Sequence, residues 1–271
     1  MIWAALFALV FVALGGAIGL SRTNVARFAV IRVIGLGAGC FAVFAQLLPE
    51  AAEAAGYWAL LPFAFTLLGS VLLELTVRTK AQGAPTLSID LGFLALVIHQ
   101  GLEGLALGAL AATITPLSQA ILMMLSLTLH TVPIVAAFTF AIRELSGKVA
   151  ALSRVVLLGV VGAIGAVLSS SADPHSTHSA GGLVHAGVAG LLLHAVTHVA
   201  DGHNAASGGR RGVTIVAFLF GLGLAAPSLW AHDADHLFTV ESVIVVLSAA
   251  LFAAVVLFFT HRRHNGAHSH R

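Results

Sequence analysis

His99 and Glu103 stand four residues apart in a run that is otherwise largely Leu, Ala, Val, Ile, Phe and Gly. Four residues make about one helical turn, so both side chains project from the same side of one helix. The flanks from Asp90 to Ala112 are long enough to cross a bilayer, which puts the pair near mid-membrane depth. An ionisable pair there is costly and points to a site unless a partner accounts for it. His130 lies at a similar depth in the next apolar segment. Pro133 follows it, removes a backbone donor and predicts a kink with the carbonyl of Leu129 left without its helical partner. Further on, His194, His198 and Asp201 form an i, i+4, i+7 stripe, whereas His185 falls on roughly the opposite face and stays outside the site. Glu74, near the inner end of its segment, reads as a snorkelling or capping residue rather than a ligand.

Imidazole with carboxylate suits Zn²⁺ and neighbouring ions such as Fe²⁺, Mn²⁺ or Co²⁺. Cys40 is the single cysteine, which excludes thiolate cages and intrachain disulfides. Each imidazole also has a plainer reading, as a hydrogen-bonding partner between helices.

The elements that position these groups must be membrane helices. Of 271 residues, 59% are hydrophobic and 9% charged, against about 25% charged in soluble domains. The expected fold is an all-α integral membrane bundle. Nine apolar segments approach bilayer length: Ile2–Leu20, Phe28–Leu48, Trp58–Val77, Ile89–Ala112, Ser118–Ile142, Ala151–Ser170, Gly182–Ala200, Val213–Trp230 and Leu237–Thr260. With nine spans, all 13 Lys and Arg residues fall in or beside odd-numbered loops and the tail, and the even-numbered loops carry none. The positive-inside rule then puts the N-terminus outside and the C-terminus in the cytoplasm, with the first segment an uncleaved anchor. The outer loops carry acids and histidines, including Glu50, Glu53, Asp173, His175 and Asp233. They read as a solvated rim or as a vestibule that concentrates cations. No basic and aromatic residues interleave as nucleic-acid binding requires, and the four histidines of the tail are most simply solvated.

Four motifs give this chain a family resemblance. His99-Gln100-Gly101-Leu102-Glu103-Gly104 resembles the fourth-helix His-Asn-x-Pro-Glu-Gly signature of the ZIP (Zrt/Irt-like) divalent metal transporters. Gln46-Leu47-Leu48-Pro49-Glu50-Ala51 is similar to the His-Leu-Leu-Pro-Glu-Ala that ends the second helix of that family. His130-Thr131-Val132-Pro133 sits where its fifth helix carries His/Gln-x-x-Pro-Glu, and His198-Val199-Ala200-Asp201 where its seventh ends. The resemblance implies eight helices (residues 1–236) in two inverted three-helix repeats around helices four and five. Residues 237–271 then add a ninth helix and a His-rich cytoplasmic tail. The departures are Leu102 for proline, Ile134 for the fifth-helix glutamate, Gln46 for histidine, and no acid in the sixth segment. A carboxylate-bridged pair of metals is therefore not expected. One site remains, His99 and Glu103 with His130, to which His194, His198 and Asp201 are candidate additions, with Gln46 and Glu50 at an entrance.

The expected function is uptake of a divalent cation into the cytoplasm across the cell membrane, zinc first and iron, manganese or cobalt after it. The metal is cargo, no organic cofactor or enzymatic activity is expected, and the partners are the ion and the bilayer, with a homodimer left open. A non-transporting relative is one alternative. A membrane hydrolase is another, with zinc on His194, His198 and Asp201 and Glu103 as base. A b-type cytochrome using His99, His130 and His194 is a third.

Overall fold

The computed structural model describes residues 2–21, 25–80, 87–113, 121, 124–125, 127–169, 178–201, 211–225, 243–244, 247–250 and 252. These residues are almost all helical. In chain order they form α1 (Ile2–Leu20), α2 (Val25–Phe41), α3 (Leu48–Ala55), α4 (Leu60–Lys80), α5 (Leu87–Thr113), α6 (Thr131–Leu168), α7 (His178–Asp201) and α8 (Arg211–Ala225). Among the described residues four helical stretches are long and apolar enough to cross a membrane: Ile2–Leu20, Ala29–Glu74, Ile89–Ala112 and Thr131–Leu168. The ninth apolar segment and the tail lie mostly outside the described residues.

Two of those stretches do not run straight. Ala42–Leu47 is a π-helical turn between α2 and α3, in which the N–H of Leu48 bonds the carbonyl of Val43, five residues back. Pro49 follows at once and has no N–H to offer the carbonyls behind it, so the wider turn sits where the α-helical ladder is interrupted. A short 3₁₀ turn, Gly56–Ala59, then reverses the chain. Gly56 has φ 57°, a left-handed conformation that glycine adopts without Cβ strain. The reversal is visible in the neighbours: α7 meets α3 with Gly182 beside Ala51 and Ala54, and meets α4 with Gly187 beside Pro62 and Gly190 beside Phe63. Going down α7, the α3 neighbours fall from Ala54 beside Gly182 to Glu50 beside His185, while those along α4 rise.

The second reversal is inside α6, at Gly147 (φ 87°, ψ 170°). Before it, the chain runs antiparallel to α5, with Phe138 against Gly92 and His130 against His99. After it, the chain runs parallel to α5, with Gly162 against Gly104 and Ser169 against Gly108. A Cβ on Gly104 would collide with the carbonyl oxygen of Gly162, so only glycine allows the two backbones to come this close. This fold-back falls between the expected fifth and sixth segments, although helix continues to within one residue of the turn on either side.

The helices form two groups. α1, α5 and both halves of α6 pack together, as do α2, α3, α4, α7 and α8. The groups meet where α7 packs on α5 and α2 packs on α6. One buried cluster, including Phe63, Leu67, Leu96, Ile134, Phe138 and Leu192, runs through that junction. At one end of the bundle the guanidinium of Arg143 reaches the carbonyls of Leu20 and Ser21 at 3.2 and 2.6 Å, and Arg154 pairs with Asp90 at 2.7 Å. The end of α1, the start of α5 and the Gly147 turn are therefore on the same side.

Candidate metal centre

The structure brings three of the expected ligands together. Nε2 of His99 lies 3.3 Å from Nε2 of His130. Oε2 of Glu103 lies 3.9 Å from Nε2 of His99. One ligand atom from each of the three residues lies within 4.8 Å of the other two. His130 is fully buried, and His99 and Glu103 are each 5% exposed, so the group is closed to lipid.

Local structure explains the convergence. His99 and Glu103 share a face of α5 by their spacing. His130 is the residue immediately before α6, in the turn at Leu129–His130 that precedes Pro133. The interruption expected at this proline is therefore present, and it delivers an imidazole at the head of a helix. The next residue completes the arrangement: Thr131 Oγ1 donates to the Glu103 carboxylate, 2.8 Å from Oε2 and 3.0 Å from Oε1. A buried carboxylate needs such a donor or a cation, because it has left water behind.

The distance between the two imidazoles bears on their role. Nitrogens bound at 2.0–2.1 Å to a tetrahedral zinc stand about 3.3–3.4 Å apart, and the observed separation of 3.3 Å matches that edge. The same distance also suits a weak N–H···N hydrogen bond, with one ring donating. Oε2 of Glu103, 3.9 Å from Nε2 of His99, stands about half an ångström wide of that edge and accepts from Thr131.

His194 and His198 are not in this group. Gly92 of α5 touches Ala195 of α7, which puts His194 level with a position seven residues before His99, about 10 Å along the helix axis at 1.5 Å per residue. They meet Glu74 of α4 instead. Glu74 Oε2 lies 3.2 Å from Nε2 of His194, and Glu74 Oε1 lies 3.4 Å from Nδ1 of His198. Asp201 is the last residue of α7, and its side chain is outside the described residues. Gln46 is buried in the π turn, and Glu50 lies 3.8 Å from Nδ1 of His185 at the other end of α7.

Reading the sequence thus passed over three partners: Glu74, Thr131 and His185. Glu74 did carry a signal, as the one acidic residue within its apolar segment. Thr131 carried none beyond adjacency to His130. The nine-residue offset between His185 and His194 gives them different neighbours, in keeping with opposite faces. No model of a known protein family matches this chain, nor does any curated protein or solved structure.

Proposed function

We propose that this membrane protein carries a divalent cation, with zinc the best fit, through a site made by His99, Glu103 and His130. The observation that carries the reading is the buried convergence of two imidazoles and one carboxylate from α5 and the head of α6. Two neutral nitrogens with one acid make a borderline N/O donor set suited to zinc and its neighbours. Only three protein ligands are offered, which leaves room for water and for release, as transport needs.

The helix contacts support the finer architecture inferred from the resemblance to ZIP transporters, with eight helices and a ninth at the C-terminus. Exchange α1 with the second half of α6, α2 with α7, α4 with α8, and α5 with the first half of α6. The α2–α8 contact then becomes α7–α4, and α5–α7 becomes α6–α2, each of which is present. Such a pattern is what two inverted repeats produce. Inward transport, with the termini placed as the arginine distribution suggests, belongs to the same proposal.

Uptake of zinc into proteoliposomes tests it. The wild type should import, and the His99→Ala, Glu103→Ala double variant should fall to the rate of empty vesicles. Import by that variant at the wild-type rate would exclude the site. The 3.3 Å contact also favours a second reading, a hydrogen bond that only ties α5 to α6. In that case the double variant would lose thermal stability while binding as much zinc as the wild type.

A further inference from the structure

We propose that Glu74, His194 and His198 form a second cation site, on the Asp90/Arg154 side of the first and loaded separately from it. The inference deepens the transport reading and rests on it for its purpose, though not for its chemistry. His194 and His198 are i, i+4 on α7, the helical spacing by which two imidazoles serve one zinc. Their rings lie 6.1 Å apart at 25° to one another, nearly parallel. Glu74 enters from α4 with one carboxylate oxygen toward each ring, at 3.2 and 3.4 Å.

Nε2 of His194 is buried and close to Glu74, yet it is not aligned for a hydrogen bond. The ligand atoms of these three residues do not all lie within 4.8 Å of one another, so a cation seated between the rings and the carboxylate would draw the two imidazoles inward and use that lone pair directly. This group is also less enclosed than the first: the side chains of His194, His198 and Glu74 are 6%, 23% and 13% exposed. Water can therefore supply the fourth ligand, an open coordination suited to an ion that must leave again. The two groups lie about two helical turns apart along the bundle axis, by the rise of the helix. A cation leaving His99 and Glu103 toward the basic end would meet Glu74 next.

Zinc content of the detergent-purified full chain decides the matter. His261, His264, His268 and His270 of the tail are replaced by alanine in every protein compared. The parent should hold about two zinc ions per chain. Glu74→Gln and His198→Gln should each hold about one, and Glu74→Asp should restore the second. The His99→Ala, Glu103→Ala variant should also hold about one, and adding Glu74→Gln should remove it. Cobalt in place of zinc gives an independent readout, since the visible absorption of tetrahedral Co²⁺ in the His99→Ala, Glu103→Ala protein should vanish with His198→Gln. A Glu74→Gln protein that keeps every ion the parent holds would overturn the proposal. So would loss of both ions in Glu74→Gln and His198→Gln alike, which would make Glu74 a clasp holding α4 to α7. If instead the parent holds a single ion that the His99→Ala, Glu103→Ala protein keeps and Glu74→Gln loses, the first site fails and the second stands.

Discussion

At the scale of single residues, the hydroxyl of Thr131 is the feature with the clearest consequence. It holds the Glu103 carboxylate in place without being a ligand itself. Groups that orient metal ligands in this way are worth about 10–100-fold in affinity. Thr131→Val should therefore weaken zinc binding at the first site by about that factor, and Thr131→Ser should keep most of it, as titration of the purified protein with zinc will show. Equal affinities in the two variants would mean that the hydroxyl does not position the acid. His99, Glu103 and His130 were legible in the sequence because helical spacing and distance from the segment ends fix a face and a depth. Thr131, Glu74 and His185 were not. Their roles depend on which neighbouring helix presents a partner, and spacing along one helix says nothing of that. For the same reason His194 and His198 were legible as a pair, but not as a pair belonging to Glu74.

At the scale of elements, close backbone contact holds α5 to α6. With lipid as apolar as the side chains, helix association relies on packing and hydrogen bonds rather than on expulsion of water. Gly104 faces the carbonyl of Gly162 with no room for a Cβ, whereas nothing lies within 4 Å of the Cβ position at Gly69 on α4. Gly104→Val should thus destabilise the bundle by about 1–3 kcal/mol or prevent folding. Gly69→Ala should leave stability within about 0.5 kcal/mol. Thermal unfolding in detergent compares them, and a similar loss in both would show that the contact is not what holds the pair. The glycine-rich faces in the sequence (Gly35, Gly37, Gly39; Gly162, Gly165; Gly221, Gly223) suggest close helix contacts, but not which helices they join. The break before Pro133 was likewise visible in the sequence, because proline forbids a regular ladder at a stated residue. The tight turn at Gly147 was not, since a lone glycine between polar residues marks no particular dihedral.

At the scale of the whole molecule, the basic residues and the helix directions agree. Arg143 caps α1 and Arg154 pairs with the start of α5 at one end of the bundle, while the end of α3 meets the start of α7 at the other, with Gly182 beside Ala54 and Ala55. With Cys40 changed to serine, Ser146→Cys should react with a membrane-impermeant maleimide only from the cytoplasmic side, and Tyr57→Cys only from outside. Labelling of both from one side would refute the alternating arrangement, and exchanged sides would refute the orientation. The π turn at Ala42–Leu47 adds a constraint on chain length. Upstream of it, Gly35 and Gly37 mesh with Pro133 and Phe218; downstream, Glu50 reaches His185. The surplus residue works as a phase shifter between these two halves, since each residue of an α-helix accounts for about 100° of rotation. Shortening this hexapeptide by one would swing Glu50 away from α7 while leaving composition and hydropathy almost untouched.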